Sequence, residues 1–110
     1  MSFQHKELSQ GRWKSFSFFE QMANIGSEVE RAINWKNKKD LEYSRMAFER
    51  ALELIDLTIA DEKNRNRLRE ITRVREALAD YFVCGNNYSS SDKSWKDYFY
   101  SFALASKLNI

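Results

Sequence analysis

An all-α fold, specifically an up-down antiparallel four-helix bundle, follows from three observations. Apolar residues recur at intervals of three and four along most of the 110-residue chain, the period of a helix buried on one face. Proline is absent and glycine occurs three times, too little turn chemistry for a sandwich or barrel of many short strands. The hydrophobic share of 43% and the charged share of 31% suit amphipathic helices around a single core.

The elements follow in order. Residues 1–11 show no convincing period and read as a flexible N-terminal tail, leaving 12–110 as one domain. The first helix is expected over 13–37, where Phe16, Phe19, Met22, Ile25, Val29, Ile33 and Lys36 form one stripe. Gly26 lies inside it at a cost of roughly 1 kcal/mol against alanine, so close approach of another helix is its expected reason. Asn37-Lys38-Lys39-Asp40 is the break: lysines suit a helix C-terminus and Asp40 suits an N-cap. The second helix is expected over 41–60, with Ala47, Phe48, Ala51, Leu52, Leu54, Ile55, Thr58 and Ile59 on a wide buried face. Asp61 and Glu62 favour the start of a third helix over 62–83. Cys84-Gly85-Asn86-Asn87 supplies its C-cap, because glycine and asparagine tolerate the left-handed conformation. The fourth helix, over 92–108, displays Trp95, Tyr98, Phe99, Phe102, Ala105 and Leu108. Loops this short require neighbouring helices to run antiparallel. No internal repeat and no second domain is visible.

Charge is unevenly placed. Residues 63–75 carry six basic side chains against Glu70 alone, a net of +5, so the rest of a chain of overall charge +2 carries −3. The stripe Arg65, Arg69, Arg73 reads either as an anion-binding face for RNA phosphates or as a solvated helix edge. Arg75 lies between Ile71 and Leu78, inside the apolar seam Leu68, Ile71, Leu78, Phe82. A guanidinium there needs a neutralising partner or a route to the surface. If the second and third helices fold back around residue 62, Glu49 lies level with Arg75 and Glu53 one turn away, so an ion pair with one of them is expected. Breaking a partly buried pair of that kind would cost roughly 1–4 kcal/mol. The acids Glu49, Glu53 and Asp56, spaced i, i+4, i+7, read as a divalent-cation surface or as counter-charge for the arginines.

Catalytic groups are scarce. The single histidine, His5, falls in the expected tail, and no Ser/His/Asp or Cys/His set can be assembled. No glycine-rich phosphate loop is present, and no cofactor is implied. One cysteine, Cys84, permits no intrachain disulfide. The absence of a signal peptide or membrane-spanning segment reads as a cytoplasmic protein. The surplus of aromatics at Phe16, Phe18, Phe19, Tyr98, Phe99, Tyr100 and Phe102 exceeds what one helix face hides, and a homodimer is expected to bury the remainder.

Two segments resemble the HEPN superfamily of small helical bundles. Residues 27–59 are similar to that family's paired helices, with small residues at Ala32, Ala47 and Ala51. REALADYF, residues 75–82, resembles its catalytic segment, in which an arginine is followed by a histidine and often a tyrosine. Arg75 matches the arginine, Asp80 stands where the histidine would be, and Tyr81 follows. The resemblance implies a dimer, RNA as a ligand, and a nucleotidyltransferase as a possible partner protein. With aspartate in place of histidine it implies a non-catalytic or divergent member, since aspartate does not supply the same neutral-pH acid and base. Three functions stay open. The leading one is a non-enzymatic interaction module, homodimeric, that binds a protein partner. The second is an RNA-binding protein or weak ribonuclease using Arg75, Asp80 and Tyr81. The third is a metal-dependent enzyme built on Glu49, Glu53 and Asp56.

Overall fold

A Ser-x-x-Glu sequence divides the first expected helix in two. The Ser17 hydroxyl accepts from the Glu20 N–H (3.1 Å), and the Glu20 carboxylate accepts from the Ser17 N–H (2.8 Å). This reciprocal cap starts a helix wherever its serine is extended, and Ser17 is extended, with φ −65° and ψ 164°. The computed structural model describes residues 11–108. In it, α1 spans Gly11–Lys14 and α2 spans Phe18–Asn37. The tail expected over 1–11 lies outside the described residues apart from Gly11, which opens α1, and His5 lies outside them too.

The second helix has the expected bounds: α3 runs Leu41–Ala60, capped by Asp40, whose carboxylate accepts from the Tyr43 N–H (3.1 Å). The third differs. Glu62–Arg67 is a 3₁₀ turn, and α4 covers Leu68–Phe82. The Asp61 carboxylate accepts from the Lys63 N–H (3.2 Å), while Asn64 is drawn into the core, where its amide donates to Gln21 Oε1 (2.8 Å) and to the Thr58 carbonyl (2.9 Å). Those tethers hold the chain tighter than an α-helix until Leu68. Beyond α4, Gly85 and Asn86 take positive φ of 90° and 59°, the left-handed C-cap geometry. Finally, α5 spans Asp92–Lys107, capped by Ser91. The described residues contain helix and no strand, so the all-α class holds, with five α-helices and one 3₁₀ turn in place of four helices.

The core gathers around α2. Met22, Ile25, Val29, Ala32 and Ile33 meet Ala47, Phe48, Ala51, Leu54 and Ile55 of α3, with Ile71, Val74 and Leu78 of α4 and Trp95 and Phe99 of α5. The Ser44 hydroxyl donates to the Ala32 carbonyl (2.8 Å) and Glu28 accepts from Arg50 (3.2 Å), stitching α2 to α3, while Arg31 holds Glu28 from within α2 (2.7 Å). On its other side α2 meets α5 at Gly26. A Cβ there would lie 2.5 Å from Phe99 Cβ and 2.8 Å from Phe99 Cγ, so the glycine marks the close helix approach its position suggests.

The 3₁₀ turn also resets the register between α3 and α4. Arg75 pairs with Asp56, not with Glu49 or Glu53: Nε lies 2.8 Å from Oδ1 and Nη2 lies 3.4 Å from Oδ2. Facing positions Asp56 and Arg75, and Phe48 and Phe82 with ring centroids 5.0 Å apart, centre the fold-back near residue 65, against the expected residue 62. Six residues of 3₁₀ turn move the pivot about one helical turn along the chain, which moves the residue facing Arg75 two turns along α3. Leu68 is correspondingly exposed at the start of α4 rather than in the buried seam.

Candidate functional site

Helix geometry separates Arg75, Asp80 and Tyr81. Successive side chains turn by about 100°, so Arg75, Asp80 and Tyr81 leave α4 in different directions and find different partners. Arg75 runs to the protein edge, where its side chain is 40% exposed and that of Asp56 is 50% exposed. Asp80 is buried, and its two carboxylate oxygens accept from the N–H groups of Asn87 (2.8 Å) and Tyr88 (2.9 Å). It fastens the α4–α5 loop. Tyr81 joins a clasp between helix ends. Its hydroxyl donates to Asp92 and accepts from Lys36 Nζ (2.9 Å), while Asp92 also accepts from Lys36 (3.0 Å) and Asn37 (3.1 Å). Burial works against the Asp92 charge, but the bonds from Tyr81, Lys36 and Asn37 outweigh it and hold the carboxyl below its ordinary range. Burial, then the bond to Asp92, pushes the Tyr81 hydroxyl up. Burial opposes the Lys36 charge too, yet Tyr81 and Asp92 hold its ammonium above the ordinary value. At neutral pH the clasp therefore joins a protonated Lys36 and Tyr81 to an ionised Asp92 and acts as a tie between α2, α4 and α5.

The acids of α3 do not converge. Glu49 is exposed, Glu53 is buried, and Asp56 engages Arg75. Among the described residues no group of three or more His, Cys, Asp or Glu side chains is placed to hold a metal ion.

The arginine stripe is placed differently. Arg65 on the 3₁₀ turn and Arg69 and Arg73 on α4 are all exposed, and the ion pairs of the described residues include none of them. Arg67 lays its guanidinium over the Phe18 ring, 4.3 Å from the centroid. Beside Arg69 and Arg73, α4 and α5 part to leave a groove. One section of about 650 Å³ is lined by Arg73, Val74, Glu76 and Ala77 of α4, Tyr88 of the loop, and Ser94, Trp95 and Tyr98 of α5. A second, of about 540 Å³, adds Asn66, Arg67, Arg69 and Glu70 and shares Arg73, Val74 and Tyr98. Tyr98 donates to Glu70 Oε2 (2.8 Å) across the junction, and burial together with that carboxylate pushes its hydroxyl far up. Trp95 is 7% exposed, and its indole Nε1–H is buried without an acceptor among the described residues.

A buried polar network escaped the sequence reading. Gln21 donates to the Trp13 carbonyl (3.1 Å) and to Asp61 Oδ2 (2.9 Å), Trp13 Nε1 donates to Thr58 Oγ1 (3.1 Å), and Lys63 pairs with Asp61. Burial opposes the Asp61 charge, and the bonds from Lys63 and Gln21 hold its carboxyl below the ordinary range. The available signal was Gln21 adjoining Met22 at the stripe spacing of Phe18 and Ile25. A polar side chain in an apolar stripe needs buried partners.

Compared with protein families, with curated proteins and with solved structures, the chain matches none of them at a significant level. Among the described residues no helix is long and apolar enough to cross a membrane.

Proposed function

We propose that the chain is a non-enzymatic binding module, with α2, α3, α4 and α5 in up-down antiparallel order, that acts as a homodimer and binds a protein partner. The observation that carries this reading is the outer face of α5. Tyr100, Leu104 and Leu108, spaced i, i+4, i+8, are 66%, 44% and 62% exposed. Such a stripe is costly in water and suits an isologous helix pair across a two-fold axis. The up-down order is supported by Lys36 meeting Asp92, Gly26 meeting Phe99 and Phe18 meeting Phe102, contacts in which α5 descends as α2 ascends. The exposed thiol of Cys84 suits a reducing, cytoplasmic setting. Sedimentation velocity tests the assembly: the parent chain is expected to be a dimer at micromolar concentration, and Leu104→Glu a monomer with an unchanged helical spectrum. A parent chain that stays monomeric at higher concentrations refutes it.

A second reading, a divergent HEPN-like RNA-binding protein, is favoured by the absence of ion pairs at Arg65, Arg69 and Arg73 among the described residues. It predicts RNA affinity that falls steeply with salt and less steeply once those arginines are removed. A ribonuclease using Arg75, Asp80 and Tyr81 has less support, because each of the three is occupied by a different partner. A partner nucleotidyltransferase rests on the resemblance alone.

A further inference from the structure

We infer that the groove between α4 and α5 seats an acidic amphipathic helix of a protein partner, with Arg69 and Arg73 as its charged wall and Val74, Ala77, Trp95 and Tyr98 as its apolar floor. This rests on the reading of the chain as a binding module and names the partner's chemistry. Three observations point to that occupant.

The first is shape. From Arg69 to Ala77 the α4 wall runs about 12 Å, two turns of helix. The two sections share residues, so the depression is a trough open along its length rather than a closed cavity. A trough between two helices fits a ligand lying sideways that inserts one side chain per turn, as an amphipathic helix does.

The second is charge. Arg69 and Arg73 lie one turn apart, exposed and outside the ion pairs of the described residues. Glu70, between them in sequence, is engaged by the Tyr98 hydroxyl. Glu70 keeps its charge in that bond, so the wall carries Arg67, Arg69 and Arg73 against Glu70 and Glu76, a net positive edge that carboxylates on the flank of an incoming helix complement.

The third is the floor. Trp95 is nearly covered, so it offers little ring face to a stacking base. Single-stranded nucleic acid is gripped by bases stacking on exposed aromatic faces, which the floor lacks; Tyr88, at the end of the trough, is the exposed ring. Tyr98 and Tyr100 leave α5 about 200° apart, so the trough and the proposed dimer face lie on opposite sides of the helix and can be filled together.

The test uses the full chain and a fluorescein-labelled peptide of about four helical turns, with leucines at the a and d positions and glutamates flanking them. A lysine-for-glutamate version, a scrambled version and a labelled single-stranded RNA are compared by anisotropy at physiological salt. The glutamate peptide is expected to bind in preference to all three. Arg69→Glu with Arg73→Glu should weaken it about tenfold or more and shift preference toward the lysine peptide. Ala77→Trp, which fills the trough, should abolish binding with the helical spectrum retained. If that variant fails to fold, the exposed charge reversal still decides. Equal binding of the glutamate and scrambled peptides, no saturable binding, or preferential RNA capture overturns the inference. So does self-association that is lost on reversing the two arginines, since the trough would then hold a second copy. Sedimentation keeps the two readings separable: a monomer that binds the glutamate peptide removes only the dimer, and a dimer that ignores it removes only the trough.

Discussion

Replacing Gly26 by alanine tests the tightest contact of the fold. A Cβ at that position would lie 2.5 Å from Phe99 Cβ, 2.8 Å from Cγ and 3.1 Å from Cδ1. The nearest of these atoms is one bond from the α5 backbone, so rotating the ring does not relieve the overlap and α5 itself must move. Overpacking of this kind costs about 1–3 kcal/mol, and attachment to the backbone puts Gly26 at the upper end. Alanine returns about 1 kcal/mol of helix propensity. The net expectation is a loss of about 1–2 kcal/mol, or roughly 4–10 °C in melting temperature for a domain of this size. Urea unfolding followed by circular dichroism measures it, with an unchanged slope showing that the transition is otherwise the same. Phe99→Ala costs stability on its own by opening a cavity. It also removes Cγ and Cδ1 but keeps the Cβ at 2.5 Å, so the double variant should recover only part of the Gly26→Ala loss. An alanine variant as stable as the parent would refute the close-approach argument.

Arg75→Met should cost less than about 1 kcal/mol, because both partners of its ion pair with Asp56 are about half exposed; a loss above that in thermal melts contradicts the exposed placement. Asp80→Ala should cost about 1–3 kcal/mol by leaving the Asn87 and Tyr88 N–H groups without their acceptor. Hydrogen exchange at those two amides should quicken ahead of the rest of the chain, and unchanged exchange would count against the tether. Acid should destabilise the fold through Asp61 and Asp92. Their depressed values mean that their contribution is present above the unfolded value of about 3.9 and is lost as pH falls through the folded ones. On the alkaline side Tyr81, Tyr98 and Lys36 are raised, so their contribution is complete below about pH 10 and is lost as pH rises through the folded values. Urea midpoints at pH 3, 7 and 11 check both limbs, and a midpoint that holds at pH 3 would remove the acid argument.

The helical class was legible because it depends on local repetition: the apolar period of three and four, the lack of proline, and the caps at Asp40 and Gly85 act within a turn or two. The α3 bounds and the tight contact at Gly26 were readable for the same reason. The Ser17–Glu20 cap was equally local and lay in plain view, but the apolar stripe running through it masked the break. What sequence alone did not carry was register. Whether 62–67 winds as 3₁₀ turn or α-helix depends on Asn64 reaching Gln21 and Thr58, partners 43 and 6 residues away. That single difference moved the residue facing Arg75 from Glu49 to Asp56. The candidate site divided in the same way. The stripe Arg65, Arg69, Arg73 was visible as spacing, whereas the groove beside it exists because α2 packs against both α3 and α5 and leaves α4 and α5 apart. Spacing along one helix sets which residues share a face; what that face meets is decided by helices distant in sequence, through the summed packing of the core.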